Sequence, residues 1–262
     1  MCHHSVTVIP VLRLKDGTLM KLPKKITPCP IIDAIVEIRY STSADMPSDA
    51  IFGLAYDKLH TEYPQTTNLP AMQVPEQIRL NDPKLKFQAH HKFSNDKFSL
   101  SIGPRVLVFS CHGSYPGWHE FFPAIKNGIH LLGSIEGMID GIDRLGVRFV
   151  NFFNEDLSEN IEFEINTPKL DVKGCQFHTT LVIPDGKFKN TVQVANKAHI
   201  NIGQEEKSGA IVDIDTYKEV KDGSLKEGIL ELIDEGHTLE KKIFYSLFKE
   251  KSLEKFNPTY EY

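Results

Sequence analysis

Residues 31–40 read IIDAIVEIRY, and this stretch decides the fold. Its apolar side chains at positions 34, 36, 38 and 40 alternate with charged ones at positions 33, 37 and 39. Because successive side chains of a β-strand point to opposite faces, the alternation predicts a strand with one buried face. Residues 145–149, LGVRF, repeat the alternation of residues 36–40, VEIRY, and again carry an arginine on the outward face. The pattern therefore restarts in the second half of the chain.

Helical and extended segments follow each of these two strands. After the first strand, apolar residues at helical spacing predict helices near 50–63 and 119–135. After the second, a long helical region closes the chain, with Ser224 as its expected cap and Gly236 expected to kink or divide it. The predicted extended segments are 72–80, 86–93 and 98–110 in the first half and 161–165, 175–183, 190–195 and 210–217 in the second.

This order of elements predicts an α+β protein of two related lobes. Each lobe reads as strand, helix, three strands and helix, which gives an antiparallel sheet backed by helices. The likeness of the lobes points to an internal duplication, and two such half sheets are expected to join edge to edge. The predicted organisation is an N-terminal arm or hairpin at 1–21, a first α+β lobe at 22–141 and a second α+β lobe at 142–262 with a long C-terminal helical region.

Composition narrows the class of protein. The chain has 262 residues, of which 40% are hydrophobic and 25% charged, the proportions of an ordinary globular protein. Its net charge of −5 is too acidic for a protein whose main role is to coat nucleic acid. The four cysteines lie far apart without a CxxC pair, and no apolar stretch reaches the roughly 20 residues that span a bilayer. We therefore expect a cytoplasmic protein with reduced thiols and no membrane partner.

Several segments, taken in order, resemble one sporadically distributed family of uncharacterised bacterial proteins of about this length. Cys29 stands where the family more often carries a second proline, and residues 1–20 have no counterpart. The resemblance implies a bacterial cytosolic source and a fold of its own, but no reaction. Such a scattered distribution is typical of mobile accessory systems, such as toxin–antitoxin pairs or phage defence. The matching segments are 22–26 (LPKKI), 30–40 (PIIDAIVEIRY), 101–104 (SIGP), 115–118 (YPGW), 143–151 (DRLGVRFVN), 212–215 (VDID) and the closing helix to Phe256.

The common catalytic and nucleotide-binding motifs are missing from the sequence. It contains no GxxxxGK[ST], no GxGxxG after a strand, no GxSxG and no HExxH. This argues against an enzyme of a common catalytic fold, and no cofactor or metal is predicted.

Charged residues on the outward faces of the predicted strands form the first candidate site. Across neighbouring strands, arginines and carboxylates could line a pocket for an anionic or polar ligand. The alternative is a cross-strand ion network that fixes strand register. The residues are Glu37, Arg39, Arg148, Asp213 and Asp215.

A second, denser group lies between a predicted strand and the helix that follows it. A thiol with imidazoles could supply a nucleophile, and the set could hold zinc. The alternative is a structural corner in which the tryptophan packs and the carboxylate sits in the first helical turn. The residues are Cys111, His112, Trp118, His119 and Glu120.

Three functions stay open at this point. The first is a non-enzymatic protein-interaction or regulatory module of an accessory system, whose partner is another protein or a second copy of the chain. The second is a small-molecule or nucleotide binding protein, with or without catalysis, that uses the outward Arg and Asp residues. The third is nucleic-acid binding through lysines interleaved with phenylalanines between positions 84 and 98, although the same spacing fits a meander with phenylalanines inside and lysines outside.

Overall fold

One antiparallel sheet of nine strands organises the molecule. The computed structural model describes residues 11–13, 19–43, 46–47, 50–157, 160–161, 175–202, 205–220 and 228–260. A separate pair of short strands, β1 and β2, precedes the sheet. The strands are β1 (Val11–Arg13), β2 (Leu19–Lys21), β3 (Ile31–Ser41), β4 (Gln65–Asn68), β5 (His91–Ser94), β6 (Phe98–Gly103), β7 (Val106–Cys111), β8 (Gly141–Phe153), β9 (Phe177–Asp185), β10 (Phe188–Ile202) and β11 (Glu205–Glu219). The helices are α1 (Ala50–Leu59), α2 (Glu76–Asn81), α3 (Trp118–Gly133), α4 (Ile229–Ser246) and α5 (Glu250–Leu253), with short 3-10 turns at Pro70–Gln73 and Glu254–Phe256.

The two strands with the repeated pattern lie side by side at the centre of the sheet. The strand order is β4-β5-β6-β7-β3-β8-β11-β10-β9, and β3 pairs with β8. In this pair Val36 lies opposite Val147 and Ile38 opposite Leu145, so the apolar residues of both strands share one face. The chain is thus a mixed α and β protein, as the sequence predicts, and its two runs of strands join in a single sheet.

One face of the sheet carries the core, and the other carries charge. The buried residues of α1, α3 and α4 belong to the same apolar clusters as those of β3 and β8. We call this side the helical face. The opposite side, the open face, presents residues 33, 35, 37 and 39 of β3 and residues 144, 146, 148 and 150 of β8. Alternation along the strands therefore separates packing from surface chemistry.

The prediction of two extended segments between α1 and β6 is wrong in part. Residues 72–80 contain the end of a 3-10 turn and most of α2. Of the predicted segment 86–93, only residues 91–93 lie in a strand, β5, which ends at Ser94. Pro70 starts the 3-10 turn and Pro75 precedes α2, because proline suits the first positions of a helix and lacks the N–H that a strand ladder needs. The four residues of β4, not expected from the sequence, form the outer strand instead. The predicted segment 98–110 forms two strands, β6 and β7, instead of one, so the first half has four strands after its helix, not three.

Gly236 does not divide α4, which runs without interruption from Ile229 to Ser246. A Cβ atom built at Gly236 would lie 3.2 Å from Cγ2 of Val147, so the glycine lets the helix approach β8 closely. The expected cap at Ser224 lies outside the described residues, as does most of the predicted strand 161–165. None of the described helices combines the length and the apolarity that a membrane-spanning helix needs.

Candidate functional site

The charged residues singled out in the sequence meet at the centre of the open face. Glu37 and Arg39 lie on β3, Arg148 lies on the adjacent β8, and Asp213 and Asp215 lie on β11, which pairs with β8. Because the three strands are neighbours and the residues have the same parity, all five side chains lie on one face. The proximity expected across neighbouring strands is therefore present.

Arg148 and Asp213 form the best-defined pair of this group. The guanidinium donates from Nε to Oδ1 at 2.8 Å and from Nη2 to Oδ2 at 2.6 Å, a two-pronged geometry. The Asp213 side chain is only 9% exposed, whereas that of Arg148 is 42% exposed. Gln193 of β10 also donates to Asp213, at 3.3 Å. The carboxylate is thus held from both neighbouring strands.

Arg144, which the sequence reasoning missed, connects the other charged residues. It donates to Glu37 and to Asp215, each at 2.7 Å, and its guanidinium lies 4.6 Å from the ring centroid of Tyr217. Arg39 completes the chain through a 2.8 Å contact with Glu37. Arg144 has the same parity along β8 as Arg148, and this was the signal that could have found it. We call the set Glu37, Arg39, Arg144, Arg148, Asp213 and Asp215 the ion network.

Gly146 makes room for the ion network. A Cβ atom at this position would lie 2.6 Å from Nη1 of Arg144 and 3.1 Å from Oδ1 of Asp215. Without a side chain between them, the guanidinium can cross from its own position on β8 to the carboxylate opposite Arg148. The absence of a side chain at Gly146 therefore allows Arg144 to reach Asp215.

Burial perturbs two carboxyl groups here. Desolvation raises the pKa of Asp215, and Arg144 offsets part of that rise. Desolvation likewise raises the pKa of Asp33, which lies next to the network, and Arg148 partly offsets it. Each arginine and carboxylate of the network has a partner of opposite charge within the network. Opposite charges that pair across neighbouring strands in this way stabilise the register of the sheet.

The residues of the second candidate group have different surroundings in the structure. Burial, together with the charge of Asp33, raises the pKa of Cys111 to about 12, so its thiol stays protonated. His112 is half-buried at the end of the same segment, and burial lowers its pKa. His119 is 76% exposed, and Glu120 pairs with Lys97 at 2.5 Å. Within the described part of the chain, no group of three or more His, Cys, Asp or Glu side chains is placed to hold a metal ion.

Trp118 has a structural role between the two halves. Its Nε1 donates to Asp234 at 2.8 Å, and its indole stacks on His237 of α4 with ring centroids 4.0 Å apart. Burial lowers the pKa of His237 to about 3, so the imidazole is neutral at pH 7. Trp118 therefore joins the start of α3 to the middle of α4.

The outer edges of the sheet differ in length and polarity. At one end β4 consists of Gln65–Asn68, all polar and exposed. At the other end β9 has nine residues, and its consecutive Leu181, Val182 and Ile183 are 39%, 59% and 41% exposed. Among the described residues no further strand pairs with either edge. A long edge strand with exposed apolar side chains is a template for pairing with another chain.

Comparison with known proteins does not assign the chain to a family. No family model matches the chain, and no curated protein matches its sequence. The functional argument therefore depends on the geometry of the described residues.

Proposed function

We propose that the protein is a non-enzymatic interaction module of a bacterial accessory system, of the toxin–antitoxin or phage-defence type, and that it binds an extended segment of a partner protein along β9. The observation that carries the proposal is the edge of β9, where backbone N–H and C=O groups lie beside three exposed apolar side chains. A partner strand would satisfy the backbone groups and cover Leu181, Val182 and Ile183. The accessory system itself is proposed from the family resemblance alone.

The chemistry of β9 supports this reading over a passive edge. Natural edge strands are commonly protected by charged side chains, especially lysine, or by proline. In β9 such residues are confined to Pro184 and Asp185 at its end, and it has no lysine. Pro184 removes a single donor near the end of the strand. The opposite edge, β4, is protected by its shortness and polarity. One edge of the sheet is thus suited to pairing and the other is not.

Copurification with matched variants tests the proposal. The tagged chain is expressed in its native host as wild type, as Val182→Lys and as Thr67→Lys, the last being an exposed position on β4. Proteins retained by the wild type and by Thr67→Lys but lost with Val182→Lys support binding at β9, because a lysine on an edge disfavours strand addition. Far-UV circular dichroism and melting temperature establish first that both variants are folded.

Two results would contradict this function. One is a wild-type chain that stays monomeric in sedimentation experiments and retains no protein. The other is a partner retained equally by the wild type and by Val182→Lys, which would place the binding surface elsewhere.

We further infer that the two halves of the sheet arose by duplication. Outward from the β3 and β8 pair, each half places its last strand next to its first, β7 beside β3 and β11 beside β8, and the earlier strands follow in reverse order. The helix after each run, α3 or α4, lies on the helical face. The inference is tested by superposing the first half, β3, β5–β7 and α3, on the second half, β8–β11 and α4. Backbones of the two halves that do not superpose would contradict it.

The ion network and the lysine and phenylalanine meander support other functions less well. The network's charges pair with one another, which fits an ion network better than a ligand pocket. Phe93 is fully buried and Phe98 packs against the core, so these rings are not free to stack on bases. Interaction through β9 is the function that the geometry supports best.

A further inference from the structure

A cavity of about 250 Å³ lies in the first half of the molecule, distinct from the edge of β9. It is bounded by α1, by α2, by the segment that leads into β5 and by the turn between β6 and β7. Three of its lining residues are cationic: Arg79, Lys86 and Arg105. Glu76 is the one acidic residue among the lining residues.

These three cations differ from the arginines of the ion network. Every arginine of the network pairs with a carboxylate, whereas none of the cavity cations forms an ion pair with a described residue. Like charges that share a cavity repel one another, and in a chain with a net charge of −5 their clustering needs a reason. An anionic ligand would supply the missing partner.

Arg79 lines this cavity, and one of its donors has no hydrogen-bond partner among the described residues. Its Nη1 donates to the backbone oxygen of Ala71 at 3.3 Å, but its Nε is buried and has no hydrogen-bond partner. Buried polar groups are nearly always hydrogen-bonded, so a buried donor without a partner needs an explanation. Because the Nε atom itself is closed to solvent, an oxyanion in the cavity could accept this hydrogen bond only after the Arg79 side chain turns toward it.

The remaining walls of the cavity are imidazole and apolar. Burial and the charge of Arg79 lower the pKa of His90 to about 4, so its imidazole is neutral at pH 7. The ring of His91 packs against Phe52 at a tilt of 32°, with centroids 4.1 Å apart, and its Nδ1 lies 3.1 Å from Oδ1 of Asn68. Phe52, Ile51 and Leu85 add apolar surface. The cavity thus combines a cationic side with an apolar and aromatic side.

We propose that this cavity binds a small phosphomonoester, with the phosphate held by Arg79, Lys86 and Arg105 and an apolar or aromatic body packed toward Phe52. A phosphomonoester brings a charge of about −1.5 to −2 and three acceptor oxygens at pH 7, whereas a carboxylate brings one charge to the same three cations. Arginine also matches phosphate oxygens in a planar fork. The volume lies just below the about 300 Å³ at which typical ligand pockets begin, which suits a small molecule rather than a polymer.

Calorimetric titration with defined probes tests this site. The probes are inorganic phosphate, phenyl phosphate and adenosine monophosphate, with adenosine as the uncharged comparison and sodium chloride at matched ionic strength. We expect the two aromatic monoesters to bind more tightly than inorganic phosphate, and adenosine to show no binding. This order distinguishes a phosphate ester from free phosphate as the natural ligand.

Matched variants localise the binding. Arg105→Gln and Lys86→Gln are expected to weaken the phosphate esters at least about tenfold each, while Lys84→Gln, an exposed lysine on the same segment outside the cavity, keeps wild-type affinity. Arg79→Lys keeps the charge but loses the fork and is expected to weaken binding as well. The proposal is overturned if the folded wild type binds none of the phosphate probes, or if Arg105→Gln and Lys86→Gln bind them as well as Lys84→Gln does.

Discussion

The two halves of the sheet share a strand order but differ at their outer ends. The first half ends in the short polar β4 and contains the cavity lined by three cations, whereas the second half ends in the long apolar edge of β9. At the shared centre, the charges of the ion network neutralise one another. The charges at the centre are therefore paired across strands, and the two halves differ at their outer ends in strand length, polarity and charge.

The largest expected effect concerns His237, at the contact between α3 and α4. Its pKa falls from 6.5 to about 3 on folding, so its contribution to stability is complete above pH 6.5 and is lost as the pH falls toward 3. At pH 4 this loss is about 3 kcal/mol, from about 1.4 kcal/mol per pKa unit. His237→Phe keeps a ring against Trp118 and should flatten the acid side of the stability profile in urea melts between pH 7 and pH 4.

His119→Phe is the control for that experiment, because His119 lies at the start of the same contact but is exposed. It should leave the acid side of the profile unchanged. Equal flattening by both substitutions would show that the acid sensitivity does not come from the buried imidazole.

The next largest effect concerns the ion network at the centre. Arg148→Ala leaves the buried Asp213 with only its hydrogen bond from Gln193, and we expect the free energy of unfolding to fall by about 2 kcal/mol. Lys189→Ala removes a pair with Glu219 in which both side chains are more than half exposed, and should change the free energy of unfolding much less than Arg148→Ala does. Urea denaturation of the two variants compares a partly buried pair with an exposed one, and similar losses would contradict a special role for the centre.

A smaller effect is expected from Gly146→Ala. The new methyl group displaces the guanidinium of Arg144 from its bridge between Glu37 and Asp215, at a cost of about 1 kcal/mol. In an Arg144→Ala background the same substitution should be neutral or stabilising, because no guanidinium remains to be displaced and alanine suits a strand better than glycine. Simple additivity of the two changes would refute this explanation of the glycine.

Substitutions at the outer ends should have the smallest effect on stability. Val182→Lys and Arg105→Gln are exposed, and each is expected to change the free energy of unfolding by less than about 0.5 kcal/mol. Each should nevertheless abolish or weaken its own binding event and leave the other intact. A loss of both binding events with either substitution would mean that the two ends are not independent.

The centre of the sheet could be predicted from the sequence, and much of its periphery could not. Alternation in residues 31–40 and 145–149 identified both central strands, and the same parity placed Glu37 and Arg148 on one face. The parity of Arg144 along β8 could have placed it on the same face, but its reach past Gly146 to Glu37 and Asp215 cannot be predicted from the pattern of one strand. The cavity could not be predicted because its lining comes from segments distant in sequence. Helix α2 could not be predicted because a six-residue helix between prolines has too little periodicity.

Amide hydrogen exchange shows whether a partner binds along β9. Exchange is measured on the free chain and on the chain bound to the partner it retains, with β4 as the internal reference. The account predicts that amides of residues 178–183 become more protected on binding while those of 65–68 do not change. Unchanged exchange in β9, with new protection on another surface, would contradict it.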